Sequence, residues 1–342
     1  MTLAPVRALR SITTPSNIIS TFNKRAMSTS NATTAAAQHS RTVVKSVYAV
    51  ETAEGAGATV RRSIGTAALR NLSPFLMLDN FTVNPGAGFP DHPHRGMSTV
   101  TYMTGGSNRH EDFMGNAGLL ETGDVQWMTA GRGIVHAEMP SFDEDPAKVE
   151  PAVGIQLWVD LPAKDKMCEP TYQEKKAKDI DTIHPQDGVS VTIISGESHG
   201  TTGFVRPVGG CWFFDYKLSK PGVEVFQPLP EGWTGFVYLI KGALQIDSDP
   251  TIHPKFHTLV LSTQPGQTGV RLRRPDHLDA PEDTHFILVA GEPLDQPVVQ
   301  YGPFVVTSER QVREAVMDYR TGKNGFERAV GWQSEIGQAM RG

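Results

Sequence analysis

Cysteine is nearly absent from this chain: Cys168 and Cys211 are the only two among 342 residues. A disulfide framework of the secreted kind is therefore excluded, nothing resembles a cysteine-based zinc site, and a reducing compartment fits. Long apolar runs are missing too. Stretches such as Phe236–Ile240 fall far short of the roughly 18 residues that a membrane helix needs, so no membrane span is expected. Acidic residues are missing from the first fifty positions, where Arg7, Arg10, Lys24, Arg25, Arg41 and Lys45 are the only charged side chains. Set against a formal net charge of −5, those six cations leave the rest of the chain at −11. Such a body repels nucleic-acid phosphate, and no direct nucleic-acid binding is expected.

What is plentiful points to β structure. The 33 glycines and 24 prolines imply many turns, and 39% hydrophobic with 20% charged residues is the composition of a globular protein. The length suits two domains of about 100–150 residues each. From "TVVKSVYAVE" (42–51) onward, short β-type stretches recur: "SPFLMLDNFTV", "STVTYMTGG", "GDVQWMTAG", "IVHAEM" and "VGIQLWVDLP". Each is bounded by Gly, Pro, Asn or Asp, as strands of a barrel or sandwich are. A polar, lysine-rich interval at 173–188 has no strand period and reads as a linker. The pattern then resumes with "VSVTIISG", "CWFFDYKL", "GFVYLIKGALQI" and "THFILVAGEP", so an all-β fold of two units, 42–172 and 189–342, is expected. "GFVYLIKGALQI" echoes "STVTYMTGG" in shape, which suggests a duplicated unit.

The two ends differ from the body. Ser308 with Gln311 makes a capping box, and Val312, Ala315, Val316 and Tyr319 recur at helical spacing before Gly322. A short amphipathic helix is predicted there, and a second over 326–340, with their apolar faces on the outer wall of a barrel. In the arm at 1–41, Leu3, Val6, Leu9 and Ile12 share one helical face with Arg7 and Arg10 off it. This arm reads either as a transit peptide, with mitochondrial targeting, or as a disordered tail, and Met27 offers an alternative start.

Chemistry concentrates in two short stretches. In "FPDHPHRG", His92 and His94 stand two apart, so in an extended chain both imidazoles aim to one side despite Pro93. In "GDVQWMTAGRGIVHAEMP", His136 and Glu138 repeat that spacing on another strand. Two antiparallel strands giving two inward donors each would close a shell of three imidazoles and one carboxylate. That set suits a divalent first-row metal such as Fe(II), Mn, Ni, Cu or Zn, and in octahedral geometry leaves two positions open. Trp127 and Met128 are expected to wall the site. "RHED" offers His110, Glu111 and Asp112 as acid/base candidates, but consecutive residues diverge on a strand. "RLRR" (271–274) is expected to be a solvated strand rather than a partner patch.

The phrases Gly86-x5-His92-x-His94 and Gly131-x-Gly133-x-x-His136 resemble the two motifs of cupins. "HPHRG", "HEDF", "GDVQWMTAGRGIVHAEMP", "AGEP" and "GPFV…KNGFERA" resemble the pirin family over roughly 42–332. The resemblance implies two tandem cupin-type, jelly-roll-like β-barrel domains with a short C-terminal helical segment. In most cupins the carboxylate follows the His-x-His pair, where this chain has Ser98; pirins use the position of Glu138 instead. By resemblance, His92, His94, His136 and Glu138 bind Fe(II); on a flavonol substrate Glu138 is expected also to act as the catalytic base that removes the 3-hydroxyl proton. The second domain is expected to be metal-free, with His253, His257, His277 and His285 as ordinary surface or core residues. Two activities are implied: an O₂-dependent dioxygenase acting on a flavonol such as quercetin, and an iron- or redox-dependent co-regulator binding a Rel-type transcription factor in the nucleus or cytoplasm. A vestigial cupin with a structural metal is a third reading, and a monomer is expected.

Overall fold

Period-2 alternation gives each strand two faces, and the topology uses both. The computed structural model describes residues 38–142, 149–276 and 283–338. A seven-stranded antiparallel sheet runs in the order Thr171–Lys175, Val125–Thr129, Met97–Gly105, Ala152–Asp160, Phe75–Val83, Ala58–Arg62, Val50–Glu54. Its companion is a four-stranded sheet of Phe89–His94, Ile134–Ser141, Ser107–Asp112 and Ala117–Glu121. A second seven-stranded sheet follows the order Val43–Tyr48, His257–Leu261, Thr234–Lys241, Thr284–Gly291, Cys211–Leu218, Val189–Ser195, Thr182–Ile183. Glu224–Pro228, Gly269–Arg273, Ala243–Ile246 and His253–Pro254 form its four-stranded companion. The two sets match strand for strand, so the expected pair of cupin domains is present and the duplication is visible in topology.

One face of each large sheet meets the other domain. Val100, Tyr102, Trp127, Ile155 and Leu157 pack there with Phe213, Phe236, Tyr238, Ile287 and Val289 of the second domain. Burial of each such side chain contributes about 1.5–3 kcal/mol. The opposite faces diverge in chemistry. In the second domain that face is apolar, with Phe214, Val237, Leu239, Phe286 and Leu288 meeting Val270 and Leu272. In the first domain the equivalent strands carry Thr99, Thr101, Gln126 and Gln156. A polar interior on one side and a filled apolar core on the other place the chemistry in the first domain.

The chain ends cross over between domains. Strand Val43–Tyr48, expected in the first unit, pairs instead with His257–Leu261 of the second sheet. Arg41, fully buried, secures it by donating to the carbonyls of Trp233 at 2.5 Å and Pro230 at 2.7 Å. The expected linker also contributes strands: Thr171–Lys175 closes the first large sheet and Thr182–Ile183 the second, because each barrel requires an edge strand there. At the other end, helix Glu309–Thr321 is capped by Ser308, which accepts from the Gln311 amide, as predicted. Ala315 and Phe326 pack with Phe113, Met128 and Ile134 of the first domain. The second predicted helix is not continuous. It is split into a 3₁₀ turn at Glu327–Ala329 and a single helical turn at Glu335–Gln338, with Gly331 at φ 75° turning the chain between them. The arm through residue 37, with its transit-peptide and Met27 readings, lies outside the described residues.

Candidate metal centre

Strands Phe89–His94 and Ile134–Ser141 pair antiparallel with His136 opposite His92 and Ile134 opposite His94. The three imidazoles therefore converge, as period-2 spacing requires. One ring nitrogen from each lies within 4.8 Å of the others, and Nε2 of His136 is 3.0 Å from Nε2 of His92. His94 and His136 are each 1% exposed, and the Trp158 ring stands perpendicular to His94 at 5.2 Å.

Protonation chemistry tests whether this cluster fits a cation. Burial drives the pKa of His94 and His136 well below the ordinary imidazole value, and the neighbouring histidines push the same way. Both rings are neutral at pH 7. Nδ1 of His92 lies 2.9 Å from the Pro90 carbonyl, which only accepts, so that nitrogen carries a proton and Nε2 is the nitrogen turned to the cluster. Nδ1 of both His94 and His136 is buried without a partner. If His136 carries its proton on Nε2, its buried Nδ1 lone pair is orphaned; if it carries the proton on Nδ1, that buried N–H has no acceptor. Three ring nitrogens that meet within 4.8 Å, two of them on neutral rings, would give a cation a common set of donors, so the cluster fits a divalent first-row metal.

Glu138 is held apart from this set. The strand register shifts between His136 and Glu138, placing Glu138 opposite Phe89. The carboxylate is buried, and its Oε1 accepts from Thr101 Oγ1 at 2.9 Å and Gln156 Nε2 at 3.4 Å. It is not among the atoms that meet within 4.8 Å, although with His92 and His94 it lines one cavity of about 890 Å³. Met77, Phe81, Phe89 and Trp158 supply apolar wall to that cavity, and Arg62 and Asp79 a polar one. The last two are locked as a fork, Nε to Oδ1 at 2.8 Å and a guanidinium nitrogen to Oδ2 at 2.6 Å.

A family model described as Pirin matches residues 57–159, and one described as the pirin C-terminal cupin domain matches 213–325. Human Pirin is 47% identical over 302 residues, covering 87% of this chain and 99% of that protein. The chain belongs to the pirin family. A Pirin-like protein of Solanum lycopersicum is 49% identical over 296 residues, 86% of this chain and 97% of that one. Among solved structures, quercetin 2,3-dioxygenase from Acinetobacter baumannii superposes with a TM-score of 0.74 at 31% identity, covering 84% of this chain and 99% of that chain.

Both histidine motifs of this pirin fall within the first match, and the second domain uses the equivalent strands differently. Glu224–Pro228 and Gly269–Arg273 turn Val225, Gln227, Val270 and Leu272 inward. Gln227 is saturated, accepting from Tyr216 at 2.5 Å and Ser198 at 2.7 Å while donating to the carbonyls of Glu197 and Pro228. His253 is buried, His257 packs on Tyr48, and His285 bonds Asp215 at 2.6 Å; His277 lies outside the described residues.

Other candidates disperse. His110 bonds Glu174 at 2.9 Å, Glu111 accepts from the Glu335 amide, and Asp112 accepts from the amides of Met114 and Asn116. In "RLRR", Arg271 pairs with Glu224 and Arg273 with Asp276. Trp127 and Met128 do not line the cavity, contrary to expectation. Trp127 faces the second domain and Met128 packs with Phe113 and Ile134, because Val125–Thr129 lies toward the Thr171–Lys175 edge of the large sheet, whereas the cavity lies over Ala152–Asp160, Phe75–Val83 and Ala58–Arg62. Trp158 and Gln156 take that place, with Thr101 behind them on Glu138, and only their inward parity on neighbouring strands marked them in the sequence.

Proposed function

We propose that this chain is a mononuclear non-haem Fe(II) dioxygenase of the quercetin 2,3-dioxygenase type, acting on a flavonol-like substrate and O₂. The observation that carries the reading is the convergence of three imidazoles, two of them buried and neutral, beside a carboxylate on the wall of a cavity of about 890 Å³. That volume lies within the usual range for small-molecule sites, about 300–1,000 Å³. The likeness to the Acinetobacter quercetin 2,3-dioxygenase supports the substrate class.

In this proposal His92, His94 and His136 hold the metal. When bound, the ion supplies Lewis acidity toward the substrate oxygen and a redox partner for O₂. Met77, Phe81, Phe89 and Trp158 cover the planar rings and exclude water. Glu138 takes the proton of the flavonol 3-hydroxyl at a carboxylate oxygen, which raises the electron density of the ring that is to be cleaved. The Arg62–Asp79 fork stiffens the opposite wall.

The test is turnover of quercetin by Fe(II)-loaded protein with and without air. Metal-dependent loss of quercetin with O₂ consumption and CO release is expected, and none under anaerobic conditions. Failure to consume quercetin in a metal-dependent way removes the flavonol reading.

A further inference from the structure

The carboxylate of Glu138 is held unevenly. Oε1 receives the Thr101 hydroxyl at 2.9 Å and Gln156 Nε2 at 3.4 Å, whereas Oε2 receives, among the described residues, Gln156 Nε2 alone, at 3.3 Å. Gln156 Nε2 also reaches Thr101 Oγ1 at 3.2 Å, so the three side chains form a closed triangle. Thr101 stands on Met97–Gly105 and Gln156 on Ala152–Asp160, adjacent strands that pair Gln156 directly with Thr101. Glu138 comes from the facing small sheet. The triangle is thus a polar tie between the sheet that carries the histidines and the sheet opposite, and Gln156 enters it as a donor, its Nε2 facing three oxygens.

We propose that Thr101 and Gln156 are positioning residues for Glu138: the Thr101 hydroxyl fixes Oε1, Gln156 Nε2 spans both oxygens, and Oε2, which lacks the hydroxyl bond, is the oxygen presented to the metal or to a substrate proton. The inference rests on the metal-site reading above. Partners that orient a ligating carboxylate typically change metal affinity by about 10–100-fold when removed.

The test uses Co(II) as probe, following its affinity by competition with a chelator and its coordination by the visible absorption band. Thr101→Val and Gln156→Leu are each expected to weaken Co(II) binding about 10-fold and to alter the band, with Thr101→Ser restoring both. In a Glu138→Gln background, Thr101→Val is expected to add nothing, because its effect passes through the carboxylate. Equal and additive losses in both backgrounds would overturn the positioning role, as would an unchanged band and affinity in folded Thr101→Val and Gln156→Leu. Should Thr101→Val not fold, Gln156→Leu with and without Glu138→Gln completes the same cycle. If the parent protein takes up no Co(II), the metal-site reading falls and this one with it, a result distinct from normal Co(II) uptake with an inert triangle.

Discussion

His94 offers the cluster a neutral ring that solvent does not reach, so its removal deletes a donor that no water or neighbouring side chain replaces. His94→Ala is expected to lower bound metal at least tenfold, and Glu138→Ala less, because the histidines alone form the tight set. Metal analysis of the purified variants beside the parent checks this. Gly131 illustrates a different constraint at the same scale. Its φ is 48°, and a Cβ there would lie 2.1 Å from the Cys168 carbonyl oxygen, so Gly131→Ala must move backbone. Destabilisation of about 2–3 kcal/mol is expected in urea denaturation. The glycines of "AGRG" thus shape the turn that delivers His136, which is why the motif is legible from its own few residues. The Thr101 and Gln156 partnership is not, since nothing local in "STVTYMTGG" or "VGIQLWVDLP" says which carboxylate those side chains will meet.

Strand by strand, the elements tie the histidine-bearing sheet to the end of the chain. Arg95, directly after His94 and 2% exposed, donates to the Arg132 carbonyl at 2.6 Å, to Asp318 at 2.8 Å and to the Asn324 carbonyl at 2.7 Å. It therefore clamps helix Glu309–Thr321 against the turn before His136. Lys166 does the same for Phe304–Val306, reaching the carbonyls of Gly96 and Val305 and pairing with Asp160 at 2.5 Å. Removing one partner of a buried charged pair strands the other, so Arg95→Ala is expected to cost about 3 kcal/mol and to speed proteolysis within 309–338. Urea denaturation and limited trypsin digestion measure both. The capping box at Ser308 was legible because it is local; the partner of the helix it starts was not, because Arg95 lies more than two hundred positions earlier in the chain.

In the whole molecule, each domain borrows an end from the other half of the chain. The first strand completes the second large sheet, and the last helices pack on the first domain. Stability of the two halves is coupled through these exchanges and through the apolar layer between the large sheets, yet the chemistry stays local to one interior. Arg41→Ala is expected to leave the carbonyls of Trp233 and Pro230 unpaired and to destabilise the protein by about 1–3 kcal/mol, with Co(II) affinity unchanged. Urea titration and metal competition on one preparation test both halves of that statement. A parallel loss of Co(II) affinity would show that the second domain supports the site directly.

The sequence by itself determined most of the strands, their turns, the helix cap and the pairing of His92 with His94, because backbone periodicity and glycine chemistry act over a few residues; the short strands within 171–183 were not legible, since only their partners in each sheet define them. Only the tertiary structure decided which face of each strand looks inward, why Trp158 rather than Trp127 meets the histidines, and where Glu138 finds its donors. Alternation states that two residues share a side; it carries no information about what stands across from that side, which depends on contacts between distant strands.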